Sequence, residues 1–115
     1  MRCADRSDQY RDVVVQLEEV LGRTAAGLGR PDEAARHFGR SIDNLAIANP
    51  DHPWLAALRG HRAMALQAQG DIAGARQELA LAQAGLQAVP QAGPQYRRPV
   101  EAAARRLAAG AARAS

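Results

Sequence analysis

A short pattern of one glycine, one alanine, a bulky apolar residue and a small residue occurs twice in this chain and constrains its fold strongly. The first copy begins at Gly29 and the second begins 41 residues later, at Gly70. A period of about 40 residues with two helices per unit is typical of stacked helical arrays. The matched positions are Gly29, Ala34, Phe38 and Ser41 in the first copy, and Gly70, Ala75, Leu79 and Ala82 in the second.

Each matched position has a mechanical role in a hairpin of two antiparallel helices. We expect Gly29 and Gly70 at the turn between the helices, where a left-handed backbone angle is readily available only to glycine. The alanine that follows allows the two helices to cross closely. The bulky residue one turn later fills the space where the helices diverge, and the next small residue admits the neighbouring hairpin.

Glycines and prolines divide the chain into five predicted helices. The second helix opens at Pro31, which suits a first helical turn. The fourth follows Asp71, a favourable N-cap residue, and has the most regular apolar stripe. The predicted organisation is a disordered N-terminus at 1–7, hairpins at 8–49 and 50–89, a capping or incomplete third-repeat helix at 94–110, and a frayed tail at 111–115.

Composition favours an all-α protein and excludes several other classes. Alanine, the best helix former, dominates the apolar residues, while aromatic residues make up only 3% of the chain. The alternating apolar runs of β-strands are missing. The single cysteine excludes an internal disulfide. The charged start lacks the apolar segment of a signal peptide, and no apolar run reaches the roughly 20 residues of a membrane span. We therefore expect a soluble cytoplasmic protein.

These features together resemble the tetratricopeptide repeat, in particular its long variant of about 42 residues, which occurs in kinesin light chains and bacterial arrays. The resemblance rests on the repeated pattern, on the proline that ends the second helix, and on the linker Pro50-Asp51-His52-Pro53. It covers residues 15–89 well and 95–110 weakly. It implies a right-handed stack of antiparallel helix hairpins, an α-solenoid, that binds a protein or peptide in a groove lined by the first helix of each hairpin.

The sequence departs from the family pattern at several positions. Arg59 and Arg62 stand where the long variant usually has large apolar residues. Arginine stems can lie along apolar surface while their charged groups reach water. We therefore expect the third helix to pack the most loosely. The family tyrosine near the end of the first helix is replaced by Ala25 and Leu66 in the two units.

The resemblance also implies which residues would line the groove. The basic clamp that some family members use to hold a peptide carboxyl terminus is not recognisable. A solvated or packing role competes with a binding role at every one of these positions. The candidate groove contacts are Gln16, Glu19, Arg23, Ala57, Gly60, Met64 and Gln67.

A second candidate surface is the edge of the stack formed by the first helix. Val13, Val14 and Val15 are consecutive, so they cannot all face one side of a helix. At least one is expected on the open N-terminal edge, where a preceding repeat would dock. This edge could bind a partner, associate with a second copy, adjoin an upstream domain, or have no role.

The sequence gives little support for catalysis, a cofactor or a metal site. His37, His52 and His61 fall on three separate elements, without an acid or cysteine at ligand spacing. No phosphate-binding glycine loop and no nucleophile motif is present. We therefore expect a chain that is not an enzyme and holds no cofactor and no metal.

Two further hypotheses come from charge and from context. The formal net charge is +3, and a candidate basic patch for nucleic acid consists of Arg97, Arg98, Arg105 and Arg106. The scarcity of stacking aromatics weighs against that reading. Helical hairpins of this kind also resemble the C-terminal sensor or docking regions of bacterial serine/threonine kinases and transcriptional regulators, although no kinase motif is present here.

Overall fold

The computed structural model describes residues 6–114, with side chains described for residues 10–113, and in this range it contains five α-helices and no strand. The predicted all-α class is therefore confirmed. Residues 1–5 of the predicted disordered N-terminus lie outside the described range, as does Ser115. The helices are α1 (Arg6–Gly27), α2 (Pro31–Ala48), α3 (Trp54–Gln69), α4 (Ile72–Gln87) and α5 (Pro94–Ala114).

The helix ends differ from the prediction mainly at the two chain termini. Helix α1 begins at Arg6, two residues before the predicted start of the first hairpin. Helix α5 continues through Ala114, so most of the segment expected to be a frayed tail is helical. Alanine fills most of this last stretch, and its high helix propensity accounts for the extension.

The two glycine turns have the same backbone geometry. Gly29 has φ of +73° and Gly70 has φ of +95°, both in the left-handed region. In each turn the following residue donates a backbone hydrogen bond to a carbonyl five residues back, from Arg30 to Ala25 at 2.9 Å and from Asp71 to Leu66 at 2.8 Å. This is the helix-ending motif in which glycine is strongly preferred. The repeated glycines therefore close the two hairpins as expected.

Local capping explains where the inner helices begin. The carboxylate of Asp71 accepts a hydrogen bond from the backbone N–H of Gly74 at 2.9 Å, as expected of an N-cap. In the linker before α3, the Nδ1 atom of His52 accepts a hydrogen bond from the backbone N–H of Trp54 at 3.0 Å. His52 thus accepts a hydrogen bond from one of the first backbone N–H groups of α3, which have no partner within the helix.

Helix α3 lies at the centre of the fold and packs against α2, α4 and α5. Half of its residues are buried, among them Leu58 and Ala63 with no exposed surface. The expectation that α3 would be the loosest helix is therefore wrong. The arginines that motivated it are anchored: Arg59 pairs with Glu78, and the Nε of Arg62 donates to the carbonyl of Ala35 at 3.3 Å.

Each hairpin contains one buried glutamate that pairs with two basic side chains of the other helix, and the two arrangements have opposite polarity. Glu18 on α1 also meets Arg40 on α2, and Glu78 on α4 also meets Arg62 on α3. In the first hairpin Glu18 on α1 lies 3.0 Å from His37 on α2. In the second, Arg59 on α3 lies 3.0 Å from Glu78 on α4. Both members of the second pair follow their counterparts by the same 41 residues as the glycines. The position that is acidic in one hairpin is therefore basic in the other.

The junctions between successive hairpins differ. At the first junction, α3 contacts the preceding hairpin mainly through α2 and touches α1 at few points. At the second junction, α5 contacts the preceding hairpin mainly through α3 and less through α4. Helix α5 runs parallel to α3, since Gly60 meets Pro99 and Gln67 meets Arg106 further along both helices. The two junctions are thus not equivalent steps, and a regular right-handed solenoid stays a prediction.

Candidate functional site

A cleft remains open between α1 and α3 because these two helices touch at few points. At one end Trp54 bridges it, since its indole N–H donates to the Glu19 carboxylate at 3.2 Å. Towards the other end the cleft widens into a pocket of about 350 Å³. We call this cleft the α1–α3 groove. Its pocket is lined by Arg23, Ala26, Gly29, Pro31, Phe38, His61, Met64, Ala65, Ala68 and Arg106.

The floor of the pocket is built by aromatic packing between α2 and α3. Phe38 is 1% exposed and lies so close to Gly22 that a Cβ there would come within 2.8 Å of its ring. The His61 imidazole stacks on the Phe38 ring, with 5.2 Å between the centroids and 12° between the planes. Phe38 therefore fills the space between the helices, the role expected of the bulky repeat position.

Burial changes the acid–base properties of two groove residues. Desolvation lowers the pKa of His61 to about 4, and the positive charge of Arg23 acts in the same direction. Desolvation raises the pKa of Glu19, while the Trp54 hydrogen bond and Arg23 oppose this rise. The His61 ring is consequently neutral at neutral pH, and the pocket charge comes from its arginines.

Three of the predicted groove contacts, Glu19, Arg23 and Met64, border the groove, and Gln16 precedes Glu19 by one turn on the same face of α1. Gln16 is exposed and Glu19 is half-buried against Trp54. Arg23 and Met64 line the pocket itself. His61 also lines the pocket but is not among the predicted groove contacts. Helical periodicity could have identified it as one, because it lies one turn from both Ala57 and Met64 on α3.

The other three predicted contacts are engaged within the protein. Gly60 is buried against α5, where a Cβ would lie 2.8 Å from the carbonyl carbon of Pro99. Ala57 is only 4% exposed. The side-chain amide of Gln67 donates to the carbonyl of Arg106 at 2.8 Å, and Gln67 also lines a second pocket that includes Met64 and Arg106. Helix α5 therefore occupies part of the face that was expected to receive a partner.

The predicted basic patch on α5 is divided among different surroundings. Arg97 donates hydrogen bonds to the carbonyls of Ala92 and Pro90 and so holds the turn before α5. Arg98 and Arg105 are exposed and do not line the groove pocket. Arg106 lines the groove pocket. The four arginines thus have different surroundings, and the nucleic-acid hypothesis stays a prediction.

The edge formed by α1 exposes apolar side chains. Val13 is 58% exposed, while Val15 is fully buried and its carbonyl accepts a hydrogen bond from the Ser41 hydroxyl at 2.8 Å. Val13 is followed by Leu17 and Val20 at helical spacing, 54% and 59% exposed. At least one of the three consecutive valines therefore lies on this edge, as predicted.

The histidines are used in packing and hydrogen bonding. The Nδ1 of His37 donates to the Glu18 carboxylate, and His52 also contacts the Tyr96 ring edge-on at 5.8 Å. Among the described residues, no three His, Cys, Asp or Glu side chains come together as a metal site would require. Within the same residues, no helix has the length and apolar character needed to cross a membrane.

The described architecture defines an all-α protein of two helix hairpins and a fifth helix seated on the third. Comparison of the chain with protein-family models, curated proteins and solved structures finds no match.

Proposed function

We propose that this chain is a non-catalytic, tetratricopeptide-like interaction module that binds a segment of a protein partner in the α1–α3 groove and acts as a docking unit. The observation that carries the proposal is the open groove itself. The first helices of two adjacent hairpins leave a concave, partly apolar surface between them, and the side chains of Arg23 and Met64 line its pocket. Concave pockets with an apolar lining and a few polar groups are the usual form of binding sites.

The size of the groove sets what its occupant must contribute. One apolar side chain buried in the pocket would supply about 1.5–3 kcal/mol. Such a gain does not by itself offset the loss of translational and rotational freedom on association, which amounts to at least about 4 kcal/mol. A partner segment must therefore extend along the groove towards Gln16 as well as fill the pocket.

A peptide library panned against the whole chain tests the proposal. Met64→Glu places a charge on the groove floor, and Leu81→Glu serves as its control because Leu81 is 53% exposed on α4 and does not line the groove pocket. We expect enriched peptides to bind the native chain and the Leu81 variant but not the Met64 variant. Far-UV circular dichroism confirms that both variants are folded. Failure to enrich any peptide, or equal binding to both variants, would refute the proposal.

A further inference from the structure

Helix α1 carries a second apolar face on the side opposite its buried residues. The buried face holds Val15 and Gly22 and packs on α2. On the opposite face, apolar residues follow one another at steps of three and four, the spacing of a coiled-coil seam. We call this face the α1 stripe. It consists of Tyr10, Val13, Leu17, Val20, Leu21 and Leu28, all of them exposed.

The α1 stripe has the area of a modest interface between two copies. Tyr10 is 73% exposed and presents about 150 Å². Each valine or leucine of the stripe, near half exposure, presents about 60 Å², so the whole stripe offers about 400 Å² of apolar surface. Since homodimer interfaces are about 65% apolar, this corresponds to about 650 Å² per copy and about 1,300 Å² per dimer. That value falls at the lower end of specific protein interfaces.

The two flanks of the α1 stripe differ in polarity, and this difference favours an antiparallel partner helix. One flank is apolar and carries Val14, Leu21 and Leu28, whereas the other carries Asp12 and Arg23. A parallel second copy would set the apolar flank of one helix against the charged flank of the other. An antiparallel copy sets like flanks together and brings Asp12 of each copy towards Arg23 of the other. The stripe is therefore complementary to itself in charge.

The shape of the α1 stripe fits the same arrangement. In an antiparallel seam centred between Leu17 and Val20, Leu17 of each copy faces Val20 of the other. The same register sets Tyr10 opposite Gly27 of the second copy. A Cβ built on Gly27 has no atom within 4 Å, so space for the Tyr10 ring is open there. The largest side chain of the stripe thus meets a position without a side chain.

We infer that the α1 stripe is the interface of a symmetric dimer, in which α1 of one chain packs antiparallel on α1 of a second copy. Both copies use the same patch, so the association closes at two chains. The second copy is the occupant because the stripe complements itself in charge and shape and has the area that a dimer needs. The inference does not rest on the proposed function, since no residue of the stripe lines the groove pocket.

Sedimentation velocity of the whole chain between about 1 and 200 μM tests the dimer. We expect the 12.2 kDa chain to double its mass with a dissociation constant of about 10 μM, as suits a small interface. Leu17→Glu should weaken association more than about fiftyfold, because it sets two carboxylates near the centre of the seam. Leu81→Glu is the matched control, since Leu81 on α4 is 53% exposed and Leu17 is 54% exposed, and it should dimerise as the native chain does.

Three results of this experiment would overturn the inference. They are a native chain that stays monomeric at 200 μM, equal dimerisation of the two glutamate variants, and assemblies that grow beyond two chains with concentration. Far-UV circular dichroism of both variants shows that a loss of the dimer is not a loss of the fold.

Disulfide cross-linking tests the antiparallel orientation in chains that retain an intact Leu17. In a Cys3→Ser background, the single variants Tyr10→Cys and Gly27→Cys are mixed, oxidised and analysed by mass spectrometry. The antiparallel seam predicts a disulfide between the two different variants and little cross-linking of either variant alone. Cross-linking of each variant to itself, without the mixed product, would show a parallel pair and overturn the proposed arrangement.

Discussion

The contact between α3 and α5 predicts an unusual response to Gly60→Ala. A Cβ at Gly60 would lie 2.8 Å from the carbonyl carbon of Pro99 and 2.9 Å from the backbone nitrogen of Val100. Ordinary contacts of a Cβ begin at 3.4 Å. Backbone atoms cannot rotate aside as a flexible side chain can. The substitution therefore forces α5 away from α3, along the same face where Val100 is buried.

The size of the effect follows from two opposing contributions. Overpacking of a well-packed contact costs about 1–3 kcal/mol. Replacement of a helical glycine by alanine stabilises the helix by about 1 kcal/mol. We therefore expect Gly60→Ala to reduce the free energy of unfolding by up to about 2 kcal/mol. Gly85→Ala is the matched control, because its Cβ would lie 3.7 Å from that of Ala56, an ordinary contact, and it should stabilise the protein by up to about 1 kcal/mol.

Urea unfolding followed by far-UV circular dichroism measures both variants, and the fluorescence of Trp54, the single tryptophan, gives a second probe on α3. The two variants should shift the unfolding midpoint in opposite directions. If Gly60→Ala stabilises the chain as much as Gly85→Ala does, then α5 is not seated on α3 at this point. The account of the engaged groove positions would then be wrong as well.

Other predictions concern pH, the buried ion pair and a helix cap. Because the folded state lowers the pKa of His61 to about 4, the unfolded state binds more protons as pH falls below about 6.5, so stability should fall in that window. Between about pH 7.5 and pH 5 the native chain should lose about 2 kcal/mol more than His61→Gln in urea titrations, and equal losses would contradict this. Glu78→Gln should destabilise the fold by about 2 kcal/mol, because it leaves both Arg59 and Arg62 without their carboxylate partner. No change in thermal unfolding would contradict this. Asp71→Ala should lose about 1 kcal/mol by the same measurement, and an unchanged melting temperature would argue against the cap.

Much of the local structure could be predicted from the sequence, because its causes are local. A glycine that must adopt positive φ, as Gly29 and Gly70 do, and an aspartate placed to cap a helix, as Asp71 is, reveal themselves without knowledge of the tertiary fold. The spacing of apolar residues likewise indicated the buried faces of α2 and α4. Helix positions and hairpin turns were consequently predictable.

The arrangement of the groove was harder to predict because it depends on contacts between distant helices. Gly60 has the spacing of a groove residue, and only the close approach of Pro99 shows that it is covered. Arg59 was recognisable as a departure from the family pattern, but its partner Glu78 lies on the next helix at a register that the sequence does not specify. His61 is a lone histidine in the sequence, and its stacking on Phe38 depends on the α2–α3 junction.

The reversed polarity of the two ion pairs favours the correct pairing of helices during folding. If α1 paired with α4 in place of α2, Glu18 and Glu78 would be buried together without a base between them. If α2 took the place of α4 on α3, Arg59 would face His37 and not an acid. Repeats of similar sequence are prone to exchange elements within a chain or between copies, and a buried like-charge contact penalises such exchange. The opposite polarity of the two hairpins thus favours, for each helix, the partner helix that carries the complementary charge.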